Sequence, residues 1–311
     1  SNIIIMPRHI SLIFPGQGSQ SIGMLDDFSS KFINKHSVDI KSAIGFDLIK
    51  TISKGQQKLI DQTSITQPAI LFTSYLYFKM ITEILKVKPN VLCGHSLGEY
   101  SALTCANSIP IFNALRLVHN RGLLMERARK GSMYAVLNFD LKKIKQICKN
   151  VEKETGLIVS PANINSKNQI VIAGNIKSTN IAVKRIKREG AKRIIKLSVS
   201  VASHCNLMKR PANFFIKDLN KANLEMPDLE ILHNTNAKIS KDINTLKNNL
   251  INQLIKPVKW MDTMNKIKEY NGIVIECGPG NVLTGIARSN GIKNVIPSSS
   301  PTFKSDLKNL L

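Results

Sequence analysis

The residues of this chain best placed to do chemistry gather in Val91-Leu92-Cys93-Gly94-His95-Ser96-Leu97-Gly98-Glu99-Tyr100. Its first three apolar residues predict a short buried strand, and the run from Leu97 to Leu103 predicts a helix. Between them lies Gly94-x-Ser96-x-Gly98, the nucleophile-elbow pattern. A strand that turns at once into a helix strains the backbone at its apex. Glycines two residues to either side remove the side chains that would collide there. The apex serine then stands at a helix N-terminus, where free N–H groups favour developing negative charge. Ser96 is the candidate nucleophile.

A nucleophilic serine needs a base. Of the six histidines, His204 is the one in a polar, small-residue loop, Ser198-Val199-Ser200-Val201-Ala202-Ser203-His204-Cys205, placed after a strand. His95 adjoins Ser96, but neighbours on an elbow point in different directions. A structural hydrogen bond is the competing role for His204, and spacing alone leaves both open. A Ser–His pair implies acyl transfer through a covalent intermediate. In a hydrolase order of Ser…Asp/Glu…His, the only aspartate available between Ser96 and His204 is Asp140, which the pattern puts at a helix start. The usual orienting carboxylate is missing, which counts against a plain esterase. A backbone carbonyl or a neutral amide could hold the imidazole instead. Arg121 shares a helical face with Leu117 and Leu124. It either snorkels to water or aims its guanidinium into a pocket to hold a carboxylate by two parallel hydrogen bonds.

The elements that must carry these residues alternate strand and helix. Ile10–Phe14 predicts a first strand, running into Pro15-Gly16-Gln17-Gly18-Ser19-Gln20. That loop is no dinucleotide fingerprint, since Ser21 stands where a third glycine would be needed. Thr66-Gln67-Pro68 predicts the start of a long helix, with proline at its first position. Pro110 to Arg129 predicts the helix of Arg121. From Met133 to Leu197 the order is strand, helix, strand, strand, helix, strand, with Ser178 as N-cap of the second helix. This βαββαβ order is the ferredoxin-like unit, inserted in a larger α/β body. The predicted division is 1–130 and 198–311 for the body and 131–197 for the subdomain. Ile273–Glu276 predicts a late buried strand, and the polar tail after Pro297 docks or frays.

Phe14-Pro15-Gly16-Gln17-Gly18-Ser19-Gln20, Gly94-His95-Ser96-Leu97-Gly98-Glu99-Tyr100-Ser101-Ala102, Arg121-Gly122, Ser203-His204-Cys205 and Glu276-Cys277-Gly278-Pro279-Gly280 occur in one order between Ile10 and Ala287. Together they resemble the malonyl-CoA:acyl-carrier-protein transacylase family of type II fatty acid synthesis. The resemblance implies an α/β-hydrolase-like body with a parallel sheet plus a ferredoxin-like subdomain. It implies Ser96 as nucleophile and His204 as base and then acid, with the N–H groups of Gln17 and Leu97 as oxyanion hole. Arg121 would pair with the malonyl carboxylate, and the main-chain carbonyl of Gln253 would orient His204. Asn163 and Asn165 would line the cleft. Ala202 departs from the family, which often has proline there. The implied partners are malonyl-CoA, as substrate, and acyl carrier protein. No metal or redox cofactor is implied, and the expected state is a monomer. The implied location is the bacterial cytoplasm, or an organelle lumen if a transit peptide has been removed.

Composition trims the alternatives. Of 311 residues, 43% are hydrophobic, ample for a full core. The most apolar stretch, Pro68 to Val87, is interrupted by Lys79 and Glu83, so no membrane span is expected. Three isoleucines before Arg8 are too short for a signal peptide; Met6 is a candidate start, and nothing before Ile10 enters the fold argument. Five cysteines without a CxxC pair argue against a disulfide framework or zinc site and for a reducing compartment. The net charge of +23 invites a nucleic-acid reading, but lysines are spread among asparagines and isoleucines and aromatics are only 5%. A Lys/Asn/Ile compositional bias accounts for it, or else an acidic partner does. Three rivals stay open: a serine hydrolase on the same Ser–His pair, an acyltransferase for another acyl group, and a non-enzymatic polyanion binder.

Overall fold

The computed structural model describes residues 8–311; the stretch through Pro7, with the candidate start Met6, lies outside the described residues. Two sheets organise the chain. The first contains β1 (Ile10–Phe14) and β2 (Val91–Gly94). The second sheet contributes β3 (Ser132–Leu137), β4 (Val159–Ser166), β5 (Gln169–Gly174) and β6 (Arg193–Lys196). The chain then returns to the first sheet with β7 (Glu230–Leu232), β8 (Ile273–Glu276) and β9 (Val295–Pro297).

The first sheet has the order β7-β2-β1-β8-β9 and is parallel throughout. Parallel sheets are buried on both faces, and alternate residues of one strand accordingly serve two cores. Leu12, Phe14, Leu92 and Ile275 pack on one side with helices Thr63–Leu85 and Ile111–Glu126. Ile13, Val91, Cys93 and Val274 pack on the other with Trp260, Met264 and Ile267 of helix Trp260–Glu269. The register pairs Phe14 with Gly94 and Ile13 with Glu276. Four loops therefore leave the sheet at one end: Pro15–Gln20, His95–Leu97, His233–Asn234 and Cys277–Asn281. Open α/β sheets form their ligand crevices at this end.

The second sheet has the order β4-β5-β3-β6 with antiparallel neighbours, the ferredoxin-like arrangement. Its helices, Leu141–Thr155 and Ile176–Arg188, cover one face through Ile144, Ile147, Val151, Ala182 and Ile186. The opposite face, Met133, Ala135, Ala162, Val171 and Ala173, packs on Ala202, Cys205 and Leu207. The second sheet thus buttresses the loop that carries His204. Its strand β4 also pairs with Val258, whose N–H donates to Ala162 O at 2.8 Å and whose O accepts from Ile164 N at 2.9 Å.

Several local expectations are corrected. The long helix begins at Thr63 rather than at proline, and Pro68 lies inside it. Proline cannot donate to the carbonyl four residues back. That carbonyl, Ser64 O, is taken instead by His119 Nδ1 at 2.8 Å from the facing helix. A partner from elsewhere in the fold replaces the missing donor. Ser178 is not an N-cap; Asn175 holds that position, and Ser178 Oγ donates backward to Ile158 O and Asn175 O. Strands β7 and β9, three residues each, carry too short a pattern to be seen in the sequence. The tail docks as helix Phe303–Leu310 through buried Phe303 and Leu307. All five cysteines are free and buried. Among the described residues no helix is long and apolar enough to cross a membrane.

Candidate active site

The elbow depends on close backbone contact. A Cβ on Gly94 would overlap the Gly98 carbonyl, and one on Gly98 would overlap Phe14 O. A Cβ on Gly16 would lie 2.5 Å from His95 O, so the Pro15–Gln20 loop also lies against the elbow. Ser96 sits at φ +53°, a left-handed conformation rare for a side-chain-bearing residue. Asn234 secures it: its Oδ1 accepts from Ser96 N at 2.8 Å and its Nδ2 donates to Gly94 O at 2.6 Å.

His204 comes to Ser96 from 108 residues away, and the serine Oγ lies 2.8 Å from His204 Nε2. His204 is itself at φ +59°, its N–H donating to Leu254 O at 3.0 Å. Its Nδ1 lies 2.6 Å from the main-chain O of Gln253. A carbonyl can only accept, so Nδ1 carries the proton and Nε2 is left as acceptor for the serine hydroxyl. Burial, the largest cause, lowers the imidazole pKa from 6.5 to about 3; the Gln253 carbonyl opposes this, and the charge of Arg121 and the ring of His95 add to it. The ring is therefore neutral at physiological pH. His95 turns away to Asn165 Oδ1, at 2.7 Å from its Nε2.

Arg121 is 1% exposed, so it does not snorkel. Its Nη1 donates to Gln67 Oε1 at 2.9 Å and its Nη2 to Gln253 Oε1 at 3.0 Å, while Nε has no partner among the described residues. Burial lowers its pKa, opposed by Tyr100 and Glu99. Two neutral amide oxygens thus aim a buried cation and leave donors over. The same Gln253 that accepts from Arg121 donates from Nε2 to Ser96 O at 2.9 Å, so one side chain bridges the arginine and the elbow.

The remaining predicted positions are also placed. The main-chain N–H groups of Leu97 and Gln17 donate to no protein acceptor among the described residues, the Gln17 side chain reaching Thr63 Oγ1 instead. Gly16 brings their two loops together, since its Cβ would lie 3.7 Å from Leu97 N. Asn165 is 5% exposed and engaged with His95 and Gln169, so its side chain backs the elbow instead of opening to a cleft. Asn163 lies on β4 beside Val258, with its Oδ1 buried and without a partner among the described residues. A shallow cavity of about 210 Å³ opens beside these loops, lined among others by Gln17, Thr63, Met125, Met133, Ser200 and Ser203.

Sequence reasoning missed Gln67, Glu99, Asn234 and the side chain of Gln253. Glu99 alone carried a signal. A carboxylate in the first turn of a helix that is otherwise apolar and hydroxylic has to find donors once that helix is buried.

An elbow serine bonded to an imidazole, at the carboxyl end of a parallel sheet buttressed by a ferredoxin-like unit, delimits a class. Residues 11–307 match the acyl transferase domain, and the chain belongs to that family. Within it the chain falls among the malonyl CoA-acyl carrier protein transacylases. It is 36% identical to that of Haemophilus influenzae over 90% of this chain and 92% of the relative. The transacylase of Coxiella burnetii superimposes with a TM-score of 0.92 at 34% identity, covering 98% of each chain. A malonyl-transacylase solved in complex with its type II PKS acyl-carrier protein superimposes with a TM-score of 0.90 at 34% identity, over 97% of this chain and 99% of that one.

Proposed function

We propose that this protein moves a malonyl group from malonyl-CoA to the phosphopantetheine thiol of acyl carrier protein through a malonyl-Ser96 intermediate, supplying the extender unit for fatty acid synthesis. Ser96 Oγ attacks the thioester carbonyl while His204 Nε2 takes its proton. The amides of Gln17 and Leu97 receive the oxyanion. His204 returns the proton to the departing coenzyme A thiolate. In the second half the carrier thiol gives its proton to His204 and attacks malonyl-Ser96, and the serine leaves as the hydroxyl. Neither half changes an oxidation state, and the proton moves only between serine, imidazole and thiol. The Gln253 carbonyl keeps Nε2 as the acceptor, and Arg121 holds the free malonyl carboxylate.

The proposal covers the organisation of the chain as well. Of the described residues, those through 130 and 198–311 are assigned to the catalytic body, and 131–197 to the subdomain that supports the His204 loop. The expected setting is a reducing one, the bacterial cytoplasm or an organelle lumen, in keeping with five free thiols.

The observation that carries this reading is Arg121, a fully buried guanidinium held by neutral amides and joined to the elbow through Gln253. A hydrolase of neutral esters has no use for it. The test is kcat/KM for malonyl-CoA and acetyl-CoA in wild type and Arg121→Ala. The variant should lose malonyl acylation by about thirtyfold to several thousandfold, the roughly 2–5 kcal/mol of a desolvated charge left unpaired. Acetyl acylation, with no charge at that place, should hold steady. Equal losses for both thioesters would assign Arg121 to the scaffold.

A further inference from the structure

The elbow helix Gly98–Cys105 is buried throughout, and Glu99 in its first turn is 0% exposed. Its Oε1 accepts from Asn234 N at 2.7 Å and its Oε2 from Gln253 Nε2 at 3.0 Å. His233 Nδ1 lies 3.3 Å from Oε1. On its other side, Ser240 Oγ lies 2.6 Å from His233 Nε2 and accepts from Asn249 Nδ2 at 3.1 Å, while His233 Nδ1 makes no hydrogen bond among the described residues. Both hydrogen-bond partners of the carboxylate, a main-chain N–H and a side-chain NH₂, turn a donor toward it. That is the complement of an ionised carboxylate, which accepts only.

The consequence runs through Gln253. An amide can sit in either of two orientations, and the surrounding network decides which. With a carboxylate on one side, the NH₂ of Gln253 must face Glu99, where it also meets Ser96 O and Asn234 Oδ1 at 3.1 Å. The amide oxygen is then left to face Arg121 Nη2. Reversal would aim an NH₂ at the guanidinium and an oxygen at the carboxylate. We propose that Glu99 is a positioning residue for substrate choice: together with the acceptor-only Ser96 O, its buried carboxylate holds the polarity of the Gln253 amide, and through it the aim of Arg121 at the malonyl carboxylate. Glu99 touches neither substrate nor reacting atoms. The proposal rests on the reading that Arg121 holds that carboxylate.

The substitution that isolates this effect is Glu99→Gln, equal in size but with one oxygen replaced by a donor. Its remaining oxygen goes to the side of Asn234 N, a main-chain donor that cannot turn, so its NH₂ meets the NH₂ of Gln253. The relay is then frustrated in either orientation of Gln253. The experiment measures kcat/KM for malonyl-CoA and acetyl-CoA in wild type, Arg121→Ala, Glu99→Gln and Glu99→Asp. Glu99→Gln should lower the malonyl-to-acetyl ratio by about ten- to a hundredfold, the scale of one lost hydrogen bond to a buried charged group. Glu99→Asp keeps an acceptor-only group and should hold the ratio within about threefold of wild type, even where both rates drop. A packing role would lower both rates together and leave the ratio alone in both variants. An unchanged ratio in Glu99→Gln, or an equal collapse in Gln and Asp, overturns the proposal while an Arg121→Ala effect leaves the wider reading standing. An unchanged ratio in Arg121→Ala overturns both. Should Glu99→Gln fail to fold, Gln253→Met takes its place, since it removes the amide that relays the carboxylate to Arg121: a malonyl-to-acetyl ratio lowered there supports the proposal, and an unchanged one overturns it.

Discussion

At the residue scale, the site works by deciding which atom of each group is donor and which is acceptor. The Gln253 carbonyl claims the Nδ1 proton of His204, so Nε2 is free to take the serine proton. Burial then keeps the ring neutral far into acid. A base with a lowered pKa stays competent below the usual histidine range, because protonation, which would remove it, requires a lower pH. The acylation rate of the free protein should therefore stay level as pH falls from 8 through 6.5, with the loss appearing only well below that. A pH profile of single-turnover acylation checks this, and a midpoint at 6.5 would contradict the buried, carbonyl-held imidazole. With Ser96 and His204 in the proposed roles of nucleophile and base, acting as one unit, Ser96→Ala or His204→Ala should each cost on the order of 10⁴ in turnover and the double variant little more. Turnover of the three variants against wild type measures this, and additive losses would show two independent roles.

At the scale of elements, the elbow was legible because its chemistry is local. Gly94, Ser96 and Gly98 are spaced by the geometry of a strand entering a helix, and the backbone contacts at both glycines are as tight as that spacing demands. Gly94→Ala should destabilise the protein by about 1–3 kcal/mol or more, since the intruding methyl meets backbone that cannot give way. It should also abolish acylation; a urea midpoint and an acyl-enzyme burst read the two effects. The ends of β1 and β8 were equally legible, each a mainly apolar run entering a glycine loop. What the sequence could not disclose is long range. Pro68 resembles a helix start because local rules put proline there, and only a histidine on another helix makes its interior position tolerable. His119→Ala should leave Ser64 O buried without a partner and cost about 1–3 kcal/mol in urea denaturation. An effect within a few tenths of a kcal/mol would mean that His119 is not the replacement donor. Asn234 and Glu99 meet across 135 residues, and nothing local marks the asparagine. The Gln253 carbonyl was inferable by family resemblance, but the work of its side chain was not.

At the scale of the whole molecule, two sheets meet along one line: the elbow on the first, β4 and the His204 loop on the second. The ferredoxin-like unit is legible in the sequence from its complete βαββαβ order, but its purpose is not. Only the packing of its free face on Ala202, Cys205 and Leu207 shows that it supports the histidine. The charge of +23 belongs to this scale too. If it serves an acidic carrier protein, it should act mainly on the rate of encounter. Transfer to the carrier should then slow as salt rises from about 0.05 to 0.3 M, while hydrolysis of the acyl-enzyme by water barely responds. Equal salt dependence of the two rates would leave the charge as compositional background.

The central claim is that one serine holds the malonyl group between two thiols, and intact-protein mass through both half-reactions tests it most directly. With malonyl-CoA alone, wild type should gain one malonyl group and Ser96→Ala none. On addition of holo acyl carrier protein, the group should leave the enzyme and appear on the carrier faster than malonate appears in water. A malonyl adduct that persists in Ser96→Ala, or an adduct discharged to water as fast as to the carrier, would contradict the account.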